Sequence, residues 1–358
     1  MITIPRKSLA DALTLLSSAL EVKGTMPILA FVKVEAAKGQ ATLTTTRIDA
    51  TLTVMVAGEG EDSYCLPLVQ LREAVRLASD GEVKLQQRDN RVEVIAGRSR
   101  HKLPFHPIDA FPQTPEETGQ TVQVDAARLL DAVSRVNPCA DKRDGKYATQ
   151  GVCLEATAGE LNVVAFDGTQ AGIVRLMDCE LTFQATVPNV AVPVLRAVLS
   201  DRDTAALTIN DNSLMVECEG RRMMARLLLG KFPQWRAIVP TNTPHVVALT
   251  ADVRDAIRRC CVTASEGNLI RRRLKLEFER EVLTVRSYGG DGESIEEVAV
   301  GCPTLNGEGL TVKVNADQLL AFLEQVSTPE LRMKDNPSII LFSEGEHRYL
   351  HATLRVDG

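Results

Sequence analysis

Apolar residues recur at helical spacing near the start of the chain: Leu9, Ala12, Leu13, Leu16 and Leu20 share one face. The spacing returns as Ala126, Leu129, Leu130 and Val133, and again as Val253, Ala256, Ile257 and Cys260. With three further apolar stretches this predicts helices over 7–20, 67–79, 125–136, 191–200, 251–261 and 315–325. Asp125, Thr250 and Asn315 stand where an N-cap is expected. Between the helices the period drops to two. Val32 to Ala36, Val152 to Ala156, Leu274 to Phe278 and Val282 to Val285 alternate, as do Arg91 to Val94 and Ser213 to Val216. These are expected to be half-buried antiparallel strands.

The pattern is written three times. Leu9-Ala10-Asp11-Ala12-Leu13, Leu129-Leu130-Asp131-Ala132-Val133 and Val253-Arg254-Asp255-Ala256-Ile257 align with shifts of 120 and 124 residues. Solenoid units repeat every ~20–50 residues, so this period is that of a whole domain. Gly39 and Gly159 mark the same turn 120 apart, and Phe111-Pro112-Gln113 answers Phe232-Pro233-Gln234. Pro-rich stretches after Phe111 and Val239 place domain limits near 119 and 242, giving 1–119, 120–242 and 243–358. Each third is α+β, with two helices and about eight strands, the helices covering one side of antiparallel sheets. Joining such units by their edge strands extends the sheets and hides the edges. Three like joints follow an arc, and head-to-tail dimerisation closes an arc into a ring.

Composition narrows the function classes. The charged fraction of 25% and the apolar fraction of 44% fit an ordinary globular protein. No apolar run has the ~18 residues of a membrane span, and the N-terminus lacks a secretion signal. A cytoplasmic protein is expected. The eight cysteines are scattered without C-x-x-C or zinc spacing, so buried thiols are expected and no metal. A net charge of −6 argues against simple adhesion of the outer surface to DNA, but basic groups facing one cavity remain compatible with it. The six predicted helices hold nine basic residues (Lys7, Arg72, Arg76, Arg128, Arg135, Arg196, Arg254, Arg258 and Arg259) against eight acids, so they net +1 and the rest −7.

Enzyme motifs are missing: no G-x-x-x-x-G-K-[ST], H-E-x-x-H or G-x-S-x-G occurs. Gly289-Gly290-Asp291-Gly292 reads as a hairpin turn, and His347 and His351 lie in a strand region where a structural role is expected. Asp167-Gly168 reads as turn chemistry. No catalytic residue and no cofactor are expected.

Thr25-Met26-Pro27-Ile28-Leu29, Gly97-Arg98-Ser99-Arg100, Ala165-Phe166-Asp167-Gly168 and Gly230-Lys231-Phe232-Pro233 occur in this order. Together with the threefold repeat they make the chain resemble the bacterial DNA polymerase III beta subunit family, the sliding clamps, over its whole length. The resemblance implies a DNA clamp fold whose six domains form a head-to-tail homodimeric ring, helices inside and sheets outside. Duplex DNA passes through without being read, and the ring tethers the replicative polymerase, meets a clamp loader and binds other proteins carrying clamp-binding peptides. Tethering acts through effective concentration rather than chemistry, so a processivity factor and not an enzyme is implied. A lining of Lys and Arg attracts phosphates without sequence preference.

Site residues follow from the same resemblance. Lys23 and the loop of Lys142, Arg143, Lys146 and Tyr147 are expected to touch DNA, with Arg72, Arg76 and Arg196 on inner helices. The partner-peptide pocket is expected at Thr149, Phe166, Gly168, Thr169, Gln170, Ala171, Pro233, Ala237, Ile238, Leu354 and Arg355. Several depart from the family pattern: Thr169-Gln170-Ala171 replaces His-Arg-Leu, and Ala237 replaces an Arg. A divergent second clamp with altered peptide preference, or a clamp-fold scaffold that binds only proteins, are the alternatives. The dimer interface is expected to bring His101 and Leu103 against Ile270 and Leu274, with Arg271, Arg272 and Arg273 pairing acids such as Glu73.

Overall fold

A computed structural model describes the chain except residues 21–25, 80, 114–117, 144–147, 265–272, 288–291, 303–308 and 355–358. One element order runs through it three times. The first pass comprises β1 (Ile2–Pro5), α1 (Arg6–Leu16), β2 (Phe31–Ala37), β3 (Gln40–Arg47), β4 (Ala50–Ala57), β5 (Ser63–Pro67), α2 (Leu68–Arg76), β6 (Glu82–Arg88), β7 (Arg91–Ala96) and β8 (Ser99–Leu103). The second comprises β9 (Gln120–Asp125), α3 (Ala126–Val136), β10 (Gly151–Thr157), β11 (Glu160–Phe166), β12 (Gln170–Asp178), β13 (Phe183–Pro188), α4 (Val192–Leu199), β14 (Thr204–Ile209), β15 (Ser213–Cys218) and β16 (Arg221–Arg226). The third comprises β17 (His245–Ala248), α5 (Ala251–Cys260), β18 (Arg273–Phe278), β19 (Val282–Ser287), β20 (Ile295–Ala299), β21 (Leu310–Asn315), α6 (Ala316–Leu323), β22 (Glu330–Met333), β23 (Ile339–Glu344) and β24 (His347–Ala352).

Contacts divide the chain into two compact units, Met1–Leu130 with Val187–Leu229, and Asp131–Thr186 with Gly230–Gly358. Each is built on one eight-stranded antiparallel sheet and one four-stranded sheet. The first unit has the order β5-β2-β3-β4-β16-β15-β14-β9, with β1-β6-β7-β8 beside it. The second has β13-β10-β11-β12-β24-β23-β22-β17, with β20-β19-β18-β21. The long sheets cross from one repeat to the next. Ala50 to Val54 of β4 pair with Arg221 to Ala225 of β16, and Gln170 to Val174 of β12 pair with His347 to His351 of β24. Backbone groups that a lone repeat leaves bare are thereby satisfied.

Local chemistry explains the elements. On α1, Leu9, Ala12, Leu13 and Leu16 are buried, and its outer positions are polar. The helix stops at Leu16 and tightens into a 3-10 turn over Ser17–Ala19, where the serine hydroxyls donate back to Leu13 O and Leu15 O. Asp125 Oδ1 caps α3 by accepting from Arg128 N at 2.8 Å, and Asn315 caps α6 from Asp317 N and Gln318 N. Thr250 makes no side-chain cap. The hairpins at Lys38-Gly39 and Ala158-Gly159 hold both residues at positive φ, the turn that suits the twist of two antiparallel strands. Gly172 has a different reason. A Cβ there would meet Val136 Cα at 3.0 Å and Cys139 Sγ at 3.2 Å, so its absence lets the end of α3 lie on β12.

All eight cysteines are buried, and none forms a disulfide among the described residues. Burial pushes the thiols of Cys65 and Cys260 up to about 11 and that of Cys153 up to about 12. Among the described residues no helix is long and apolar enough to cross a membrane, and no group of three His, Cys, Asp or Glu is placed to hold a metal.

Candidate nucleic-acid interface and partner groove

The helix cations are largely matched by nearby acids. Arg72 and Arg76 both reach Glu73, at 3.5 and 2.7 Å, and the Arg76 guanidinium holds the Glu73 carboxyl below its ordinary range. Arg135 pairs with Asp131 at 2.7 Å, Arg258 with Asp255 and Glu324, and Arg259 with Glu296. Lys7, Arg128 and Arg196 carry no ion pair among the described residues, and Arg128 and Arg196 are exposed. The net positive charge offered by the helices therefore rests on a few side chains. Lys23, Lys146 and Tyr147 lie outside the described residues, as do Arg271, Arg272 and the turn at Gly289 to Asp291.

After α3 the chain passes through a 3-10 turn at Asn137–Cys139 into the basic loop. Lys142 is exposed. Arg143 is engaged: its Nε and Nη2 donate to the two oxygens of Asp141 at 2.9 and 2.6 Å, and Nη2 also donates to Asp167 O at 3.2 Å. The buried Asp141 carboxyl is held below the ordinary range by that guanidinium. These residues line a cleft of about 530 Å³ with Thr169, Gln170 and, from α6, Asp317, Gln318 and Ala321.

Thr169 and Gln170 belong to this cleft. Asp167 Oδ1 accepts from Thr169 N, Thr169 Oγ1 and Gln170 N, while Oδ2 accepts from Gln170 Nε2 and Gln318 Nε2. Thr149 is drawn the same way, its hydroxyl 3.4 Å from Asp141 Oδ2. From Gln170 a directed chain of bonds enters the interior. Tyr349 Oη donates to Gln170 Oε1 at 2.8 Å. The backbone N–H of Asn315 donates to His351 Nε2 at 3.1 Å, so the neutral ring carries its proton on Nδ1 and donates to Tyr349 Oη at 3.2 Å. The chain ties β12 and β24 to the start of α6.

An apolar cluster lies on the opposite face of the same sheet, where the peptide groove is expected. Ala171 and Ile173 of β12, Cys153, Val164, Leu341 and Leu350 form its buried floor, with Phe232 and Trp235 against them. Phe166, Ile238, Val239 and Ile339 pack on this floor and stay partly accessible. Of the expected pocket residues, the structure thus groups Phe166, Ala171 and Ile238. Pro233 is half-buried beside Phe232, Ala237 is exposed, Gly168 sits in the turn before β12, and Leu354 is tied by its N–H to Lys313 O at 2.8 Å. Arg355 lies outside the described residues. Trp235, Val239 and Ile339 were not foreseen. The Trp235 indole N–H donates to Glu155 at 2.8 Å, and Arg236 stacks on its ring at 4.1 Å while pairing with the same carboxylate.

Residues 1–115 match the family description "DNA polymerase III beta subunit, N-terminal domain", and residues 123–234 match the central domain of the same subunit. The chain belongs to the DNA polymerase III beta subunit family. It is 24% identical to the beta sliding clamp of Pseudomonas aeruginosa over 359 residues, covering 96% of each chain. It is 24% identical to that of Streptomyces coelicolor over 390 residues, covering 100% of each. Among solved structures, the P. aeruginosa subunit superposes with a TM-score of 0.90 at 23% identity, covering 99% of this chain and 100% of that one. The Thermotoga maritima subunit gives 0.90 at 22% identity, covering 99% of both. The DNA clamp fold is thereby shown.

The expected dimer residues of this beta-subunit-family chain separate into two kinds. His101 is exposed on β8, an edge strand, with Leu103 at its end. Leu274 is fully buried, and its strand β18 has β19 on one side and β21 on the other. It cannot meet a second chain, and the edge strands of that sheet are β20 and β21 instead. Ile270 lies outside the described residues. Glu73, expected across the joint, is occupied by arginines of its own helix.

Proposed function

We propose that the chain is a DNA sliding clamp, a non-catalytic processivity factor whose two copies close head to tail around duplex DNA and tether a polymerase. It acts in the cell interior, with 1–119, 120–242 and 243–358 as its clamp domains. Family membership supports the reading, and one structural observation carries it. Each repeat is joined to the next by the same two contacts. Its fourth strand pairs with the last strand of the next repeat, as β4 with β16 and β12 with β24. The end of its first helix meets the second helix of the next repeat or the residues just past it, as the Ser17–Ala19 turn with α4 and Arg135 of α3 with Gln325 O beyond α6. The third repeat offers the same donor surfaces, β20 and the end of α5, and the first repeat offers the acceptors, β8 and α2. Their apolar side chains are bare: Val262 is 79% exposed, Leu77 72% and Ile295 49%. Unfilled donor and acceptor at opposite ends of one chain call for a second copy in a heterologous, closing contact.

Inside such a ring Lys142, Arg128, Arg196 and Lys7 are the cations left for phosphates, joined by Lys23, Lys146 and Tyr147. Arg72, Arg76 and Arg143 contribute less because acids already hold them. Contacts of this type position without reading sequence. The groove at Phe166, Ala171 and Ile238 is the site for apolar anchors of partner peptides, including those of the polymerase and the clamp loader. The test is retention on circular against linearised DNA with the mass measured in parallel. A dimer that stays on circles and leaves linear ends fits the reading. A monomer that leaves both equally fast refutes it.

A further inference from the structure

The groove face does not end at the apolar floor. Following the strands with a period of two, Phe166 and Val164 on β11 lead to Asn162 and Glu160, Ala171 and Ile173 on β12 lead to Arg175, and Leu350 on β24 leads to Arg348. The Trp235–Ile238 turn crosses above, and beyond it opens a separate pocket of about 260 Å³. Its walls are the Trp235 indole, Ile173 and Val239, and its polar groups are those at the far ends of the strands together with Arg236, Thr241 and Glu346.

Two polar groups in this pocket bear on what it can hold. Asn162 is only 2% exposed, and its Nδ2 makes no full hydrogen bond, although it lies near enough to Glu160 to help hold that carboxyl low. Asn162 stands opposite Arg175 of β12 in the regular register, and Leu176 bulges from β12 just beyond that pair. Arg348 is exposed and has no ion pair among the described residues. The other cations are taken: Arg175 by Glu160, Asp178 and Glu346, and Arg236 by Glu155. An unpaired guanidinium lining an apolar-walled space, with a buried amide donor in its wall, matches an acceptor-only anion on a partly apolar body.

We propose that this pocket binds a carboxylate borne by a peptide whose apolar side chains occupy the adjoining groove. The proposal rests on the groove being a peptide site. A carboxylate can come from an acidic side chain or from a peptide C-terminus, and both present the same two oxygens. From Ala171 to Arg175 is four residues, roughly 13 Å at 3.3 Å per residue, so carboxylate and anchor are separated by about three residues of extended peptide.

The full-length chain contains one tryptophan, Trp235, whose emission reports the pocket directly. Titrate it with acetyl-Leu-Phe-Gly-Gly-Gly-Glu-amide, the same peptide ending in Gln-amide, the same peptide ending in Gly with a free carboxylate, and the Glu peptide in reversed order. One carboxylate peptide is expected to bind about tenfold more tightly than the Gln peptide, and to lose that gain in Arg348→Gln, which keeps its affinity for the Gln peptide. Which carboxylate peptide gains identifies the source. Equal affinity for all the peptides overturns the proposal and leaves the groove reading intact, and so does a gain that survives Arg348→Gln. Binding by none of them overturns both.

Discussion

Lowering the pH from 8 to 5 is expected to weaken the second unit through two buried histidines on β24. His347 is 4% exposed, lies edge-on to Phe322 at 5.2 Å, and has no partner on either ring nitrogen. Burial pushes its pKa down to about 4, with Arg135 adding to the effect and Asp131 and Glu344 opposing it. His351, locked as acceptor from Asn315 N and donor to Tyr349, is also pushed down to about 4 by burial, against the pull of Asp167. In the unfolded chain both titrate near the ordinary histidine value of about 6.5. Between about 6.5 and 4 the unfolded state therefore binds more protons, and stability falls as the pH falls. At pH 5 each ring costs about 2 kcal/mol relative to pH 8, and the pair about 4 kcal/mol. Carboxylates held low, such as Asp141 and Glu277, release their stability only below the ordinary carboxylate range, outside this window. Urea unfolding followed by circular dichroism across pH 5–8 measures the slope, and His347→Leu should remove about half of it. Side-chain NMR should show His347 and His351 still neutral at pH 5. An unchanged slope in His347→Leu, or both rings titrating near 6.5, refutes the reasoning.

Four further outcomes are expected. Ile295→Asp or Val262→Asp places a charge in the proposed joint and should raise the dimer dissociation constant by at least about tenfold, read by sedimentation equilibrium. Lys142→Ala should lower the slope of log DNA affinity against log salt by about 0.9, whereas Arg143→Ala should change it less because Asp141 already holds that guanidinium. Ile238→Asp should weaken apolar peptides by about 10- to 100-fold, corresponding to about 1.5–3 kcal/mol for a buried aliphatic side chain, in a calorimetric titration. Tyr349→Phe leaves Gln170 Oε1 and His351 Nδ1 without a partner and should cost about 1–3 kcal/mol of stability by thermal unfolding.

The elements were legible because periodicity is local. All six helices appear within a few residues of their expected limits, and α1 falls short because Ser17 and Ser18 turn their hydroxyls onto the preceding carbonyls. Thr250 failed as a cap because position alone does not set side-chain geometry. The site was harder. Grouping Thr169, Gln170 and Ala171 as one pocket ignored the two-residue period, which sends Gln170 to the helix side with Tyr349 and Ala171 to the groove. Arg143 was expected to touch DNA, and the turn that folds it back onto Asp141 leaves no trace in composition. Leu274 was misplaced because an edge strand and an interior strand alternate alike, and only pairing tells them apart.

The sheets that run across the sequence limits carry a practical warning. Cutting the polypeptide at 119 or 242 does not liberate a tidy fragment. It unzips β16 from β4 or β24 from β12, and the severed pieces each bear a naked ladder of amides and carbonyls. Such pieces invite aggregation through those ladders, so truncation studies should keep each long sheet whole rather than follow the repeat.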